Sequence, residues 1–201
     1  MCAQINGVNR DYLVLDLEFT QYTRPVGRPR MFFSEIIEIG AVKIDGSTHE
    51  ITGHIQQFVT PRFFPKQAAE SMVFCMITDA DMKTAVRFHD MIAQLAAMYT
   101  PGVTYLVSWG DADYNVIAQG CDRHAVANPI LRQDCIDLAA AYKKLKGNQH
   151  TTGLRKVTEE LNIAAEGLWH TAHDDAANTG KILLKLLAGG WRPEDYLAGA
   201  G

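Results

Sequence analysis

The segment Tyr12-Leu13-Val14-Leu15-Asp16-Leu17-Glu18-Phe19-Thr20 sets the strictest condition on any fold of this chain. It is an apolar run leaning toward strand formers, with two carboxylates two residues apart near its end. Side chains at i and i+2 of a strand share a face, so Asp16 and Glu18 project together. With a rise of about 3.3 Å per residue, they start roughly 6–7 Å apart. That gap lets a carboxylate pair grip one divalent ion, or share two ions about 3.5–4 Å apart. Two like charges in such a strand are costly unless something positive balances them. The plainer alternative is a strand that has simply ended, with both acids in water. Partners further along the chain decide between the two.

The remaining composition is that of a globular chain: 201 residues, 47% hydrophobic, with no repeat or low-complexity tract. One domain over residues 1–201 is expected. The start, Met1-Cys2-Ala3-Gln4-Ile5-Asn6, lacks the basic-then-apolar layout of a signal peptide. No apolar run approaches the roughly 20 residues of a membrane helix. Cys2, Cys75, Cys121 and Cys135 show no C-x-x-C spacing and read as reduced thiols, so the cytoplasm is the expected compartment. A net charge of −4 argues against coating nucleic acid through bulk positive charge. It leaves room for an enzyme with a local cleft, and two divalent cations would bring the formal total to zero.

Taken in order, Gln21 to Arg30 is a loop carrying Arg24, Arg28 and Arg30 and no acid, suited to phosphate contact or to a solvated excursion. Ile36 to Ile44 reads as a second strand, Asp45-Gly46 as a hairpin signal and Glu50 to Val59 as a third strand. Pro61 and Pro65 break the pattern. Thr78 to Asp81 has the spacing of a capping box, and apolar residues from Met82 to Tyr99 recur at helical spacing until Pro101-Gly102. Val103 to Val107 is a short buried strand. Helices are expected over Asp111–Ala125, over Asp134–Leu145, around Leu154 to Leu161, and over Thr171–Leu187. Three antiparallel strands, then strands interleaved with helices, give a mixed-sheet α/β fold flanked by helices.

Two further clusters carry chemistry. Trp109-Gly110-Asp111-Ala112-Asp113 follows the buried strand; Asp111 suits a helix cap, and Asp113 can face back toward the sheet edge. His170-Thr171-Ala172-His173-Asp174-Asp175 opens the last helix, where Asp175 shares helical register with Asn178, Thr179 and Ile182. An ionised Asp on that face calls for a compensating partner. His170 precedes the helix, on chain expected to be flexible, where an imidazole can reach a substrate. Asp174 reads as an exposed acid favoured by the helix dipole.

Asp-x-Glu on the first strand, an Asp shortly after a later strand and His-x4-Asp at a final helix resemble the pattern of the DEDDh 3′→5′ exonucleases, which have an RNase H-like fold. Glu35-Ile36-Ile37-Glu38-Ile39-Gly40-Ala41-Val42 is also typical of them. The arginine-bearing loop and Trp109 look most like the histone-mRNA and RNA-interference-limiting branch. The resemblance implies that Asp16, Glu18, Asp113 and Asp175 bind two divalent cations, Mg²⁺ or Mn²⁺, and that His170 is the general base. It implies single-stranded RNA or DNA 3′ ends as partners, RNA favoured, with nucleoside 5′-monophosphates as products. Hard oxygen ligands suit those ions, and an imidazole ordinarily titrates near neutral pH, as a base for water must. His173 is the competing base. Phe19, Thr20, Met76 and Trp109 match positions that meet the substrate, and Phe19 offers an aromatic face for stacking. The chain departs from the pattern at Cys75-Met76, where relatives commonly carry His or Thr and then Gly. The expectation there is a lost hydrogen-bonding group and added bulk.

Two other classes compete. An HD-type phosphohydrolase would use His173-Asp174, but that class is helical whereas the first sixty residues read as strands. A binding module of the same fold would have lost catalysis, and all five residues are present.

Overall fold

The computed structural model describes residues 9–22, 24 and 26–197. Cys2 and the polar start, together with Thr23 and Pro25 of the arginine loop, lie outside the described residues. Asp11–Phe19 forms β1, the middle strand of a five-stranded sheet. On one side it pairs antiparallel with β2 (Ile36–Ile44), which pairs antiparallel with β3 (Ile51–Phe58). On the other side come β4 (Thr104–Ser108) and β5 (Cys135–Asp137), both parallel, giving the order β3-β2-β1-β4-β5.

The alternation of β1 divides the core in two. Leu13, Leu15 and Leu17 face α3 (Phe88–Met98) and α4 (Ala112–His124), whereas Tyr12 and Val14 face α5 (Leu138–Lys146) and α7 (Ala172–Ala188). Burying each Leu contributes about 1.5–3 kcal/mol, so the register of β1 is strongly fixed. A slip of one residue would move every leucine to the wrong face. The same alternation puts Asp16 and Glu18 on the α7 side. There α7 comes very close to the sheet: a Cβ on Gly40 would lie 2.1 Å from the His173 backbone nitrogen, so only glycine fits beneath the start of the helix.

Four local expectations need correction. The helix read from Thr78 to Tyr99 is two helices, α2 (Asp79–Met82) and α3, because Val86 bridges to Val59 between them. The capping box at Thr78 and Asp81 is formed, but it starts only the short α2. The helix read from Asp134 begins instead with β5, preceded by a 3-10 turn over Arg132–Asp134. Pro65, read as a break, is the first residue of α1 (Pro65–Phe74), where its fixed φ suits a helix start. The β2–β3 connection closes over six residues, with Asp45 accepting from Ser47 and Thr48 N–H and its own N–H donating to the Glu50 carbonyl at 2.9 Å. Two short helices complete the described chain, α6 (Leu154–Glu160) and α8 (Pro193–Leu197).

Candidate active site

Beyond Val14, β1 outruns its pairing with β4, so its last residues stand at an open edge of the sheet. The Leu17 N–H there donates to Asp113 Oδ1 at 3.2 Å, which fixes the start of α4 against β1. Asp111 holds the N-cap position of α4 but its side chain makes no capping bond. The buried acid Asp113 is therefore the one tied to the sheet.

The start of α7 is held from several directions. Its N-cap Thr171 gives no side-chain bond; the Glu38 carboxyl lies near the Ala172 N–H, and burial pushes it up to about 7 against the pull of that donor, while its backbone pairs with Glu18 across the β1–β2 ladder. The segment before α7, read as flexible, is tied down. Asn178 bonds both the Glu166 N–H (2.8 Å) and the Glu166 carbonyl (3.1 Å). Asp174 accepts from the Leu168 N–H at 2.8 Å, and Asp175 accepts from the His170 N–H at 3.1 Å. Asp174 is thus a clamp rather than a solvated acid. Gly167, at φ 58°, lies so close to it that a Cβ would fall 1.9 Å from Asp174 Oδ2. The His170 backbone is left-handed (φ 66°), and its side chain is exposed at the end of this clamped segment.

The outcome is one cluster. Single donor atoms of Glu18, His170 and Asp175 lie within 4.8 Å of one another. Burial, and then the charges of Asp113, Asp175, Glu18 and Glu38, push the Asp16 carboxyl well up. Burial likewise raises Asp113 to about 7, against the pull of its backbone donors. Glu18 and Asp175 are raised by burial too, partly offset by Cys75 for the first and the His170 N–H for the second. Asp175 Oδ1 is buried without a partner. Among the described residues no Lys or Arg forms an ion pair with any of these carboxylates. Acidic oxygens converging without a protein cation, one of them orphaned, fit divalent cations of the hard, oxygen-seeking kind.

The other expected site residues are placed differently from one another. Phe19 lines a cleft of about 190 Å³ with Gln21, Glu70, Ser71, Phe74 and Cys75. Thr20 is wholly buried, its hydroxyl accepting from the Glu35 N–H at 2.8 Å, so it fastens the strand end instead of meeting substrate. Met76 takes a left-handed backbone (φ 58°) with its side chain 58% exposed, so the added bulk points to solvent. Trp109 donates to the Thr152 carbonyl at 3.1 Å and packs near Tyr142, a structural task. His173 sits in the first turn of α7, beside Asp174 at 3.5 Å and edge-on to His54. In the arginine loop, Arg24 pairs with Glu70 and Arg28 lies over Phe32.

Three residues escaped sequence reasoning. Phe74, at the end of α1, has its ring 5.3 Å from that of His170. Glu38 lay inside a quoted motif, but only its pairing opposite Glu18 shows that it reaches the site. The Cys75 thiol donates to Glu18 Oε2 at 3.0 Å, so the hydrogen-bonding group expected to be missing is present. Burial and Glu18 push that thiol upward, which makes it a donor and not a thiolate nucleophile.

The family model described as Exonuclease (RNase_T) matches residues 13–183. The chain is 34% identical over 173 residues to the probable 3′-5′ exonuclease KapD of Bacillus subtilis (strain 168), covering 85% of this chain and 81% of that one. It is 27% identical to ERI1 exoribonuclease 2 of Homo sapiens over 90% of its own length, but it spans only 29% of that relative. Its fold superposes on the nuclease domain of 3′hExo, a DEDDh family member bound to rAMP, with a TM-score of 0.76 at 23% identity, covering 90% of this chain and 94% of that one. The mixed five-stranded sheet flanked by helices is thus the RNase H-like fold of those nucleases. A family match running from β1 into α7 takes in both the strand and the helix that build the carboxylate cluster, and the chain belongs to the exonuclease family as a 3′-5′ exonuclease.

Proposed function

We propose that the chain removes nucleotides one at a time from the 3′ end of single-stranded nucleic acid, RNA in preference to DNA, with Asp16, Glu18, Asp113 and Asp175 holding two divalent cations, Mg²⁺ or Mn²⁺. The observation that carries this is the convergence of four acidic side chains with no protein cation among the described residues, beside an exposed imidazole on a clamped backbone. Bound there, the cations supply activation of the attacking water and charge stabilisation at the leaving 3′-oxygen.

The protein's own part is positional. Asp16 and Glu18 are fixed by the register of β1, Asp113 by the Leu17 N–H and Asp175 by the His170 N–H. His170 takes the proton of the attacking water, a role suited to a side chain that is exposed while its backbone is tied. Phe19 and Phe74 flank the smaller cleft and offer faces for the terminal base, worth about 1–3 kcal/mol per stacked base. A larger cleft of about 680 Å³ reaches from His170 and Asp175 past Arg155 and Lys156, and suits the phosphates of the remaining strand. The preference for RNA rests on the likeness to a relative named as an exoribonuclease.

The test is a time course on matched 5′-labelled RNA and DNA oligonucleotides with Mg²⁺ or Mn²⁺. A ladder descending by single nucleotides, faster on RNA, is expected. Equal or faster DNA degradation would remove the RNA preference, and cutting of a circular substrate would replace an exonuclease with an endonuclease.

A further inference from the structure

Helix α1 ends in a tight turn that fixes one thiol. The Cys75 N–H bonds the Ser71 carbonyl at 3.0 Å, the Ile77 N–H returns to the Met72 carbonyl at 2.9 Å, and Met76 between them takes the left-handed conformation. This closure tucks the Cys75 side chain beneath the helix, where it packs with Ile37, Ala68 and Ile77. It is 6% exposed there, and its Sγ reaches Glu18 Oε2. Among the described residues no other side chain or backbone group bonds the Glu18 carboxylate. Its near neighbours are the acids Asp16, Asp175 and Glu38 and the exposed imidazole of His170, none of which hydrogen-bonds it.

We propose that Cys75 is a positioning residue for the exonuclease reaction: its thiol holds one oxygen of Glu18, so that the carboxylate faces Asp175 and His170 before any cation arrives. The inference rests on the reading of Glu18 as a cation ligand. Groups that orient a ligand in this way tune affinity by removing the cost of ordering it. The thiol does this from the position where the chain departs from its family's sequence pattern, at the junction of α1 with β1. It therefore couples the wall of the base cleft to the cation ligands.

The alternative is that Cys75 only fills space. Two substitutions separate these roles: Cys75→Ser keeps a donor and loses volume, while Cys75→Val keeps volume and loses the donor. The readouts are Mn²⁺ binding by calorimetry without RNA and the Mn²⁺ concentration giving half-maximal cleavage. Losing a weak donor to a charged acceptor should raise the Mn²⁺ dissociation constant and the half-maximal concentration by roughly 3–10-fold in the Val variant, with Ser within about 2-fold of wild type. Cys75→Ala, read in the same way, replaces Val if that variant does not fold. Wild-type Mn²⁺ dependence in the donor-less variant, or impairment of Ser alone, overturns the proposal. Absence of Mn²⁺ binding by the wild type would instead overturn the cation reading beneath it.

Discussion

Two ends of one sheet treat buried carboxylates in opposite ways. At the start of β1 and β4, Asp134 is 1% exposed and fully partnered: Arg10 at 2.5 Å, the Tyr99 hydroxyl, and the Gly102 N–H at 2.9 Å. Burial alone would raise its pKa, but the Gly102, Tyr99 and Arg10 donors outweigh that and hold the carboxyl below its usual range. At the far end of β1, Asp16, Glu18, Asp113 and Asp175 have backbone N–H groups and one thiol for partners, and burial leaves them raised. The first arrangement is closed and contributes to stability. The second is left open at a cost to stability, as expected of a site that an external cation completes.

The sharpest way to break that contrast is Asp16→Asn. Cleavage should be abolished, and the metal-free variant should melt above the wild type, because the cost of keeping a buried carboxyl among other acids has gone. Wild-type-like turnover at saturating Mn²⁺ would remove Asp16 from the site.

Next in size is His170→Ala, expected to cost about 10²–10⁴-fold in rate with Mn²⁺ binding retained, and with hydroxide partly restoring activity at high pH. His173→Ala should cost far less, since its ring lies toward His54 and its neighbour Asp174. If the two variants behaved the other way round, His173 would be the base.

At the closed end, Asp134→Ala should leave cleavage per folded molecule unchanged. It strands Arg10, Tyr99 and Gly102 and should cost about 3–5 kcal/mol. At about 2–4 °C per kcal/mol for a chain of this size, melting should fall by roughly 10 °C. A melting temperature equal to wild type would mean that the two ends do not differ as described.

The smallest effect is a pH dependence of the metal-free protein. Asp113 and Glu38 are both raised to about 7, so the folded state binds protons that the unfolded state does not. That stabilisation is full below the ordinary carboxylate range and is lost as pH rises through about 7. The melting temperature should therefore fall between pH 5 and pH 8, and excess Mn²⁺ should flatten the curve. A rise across the same interval would contradict the raised carboxylates.

Much of this site was legible in the sequence because it obeys local periodicities. Period two put Asp16 and Glu18 on one face of β1, and helical register put Asp175 on the buried face of α7. Asp113 was readable from its place just after a strand. The mistaken readings share a different character. Met82 to Tyr99 has continuous helical spacing, and only the bridge from Val86 to Val59 breaks it. Residues 135–137 are too few to show alternation, and pairing with β4 makes them a strand. Thr20 looked available to substrate until its hydroxyl was found on Glu35, fifteen residues away.

The sequence by itself determined the strand that carries the first two acids, the order of the later motifs and the class of chemistry, because each depends on residue type and short-range spacing. The tertiary structure alone decided what surrounds those acids. It set Glu38 opposite Glu18, brought the Cys75 thiol to Glu18 across 57 positions and clamped the His170 backbone from α7. Among the described residues it gave those carboxylates no Arg10-like partner of the kind given to Asp134. Whether a buried charge is compensated is settled by which distant groups packing brings within about 3 Å, and no local periodicity encodes that.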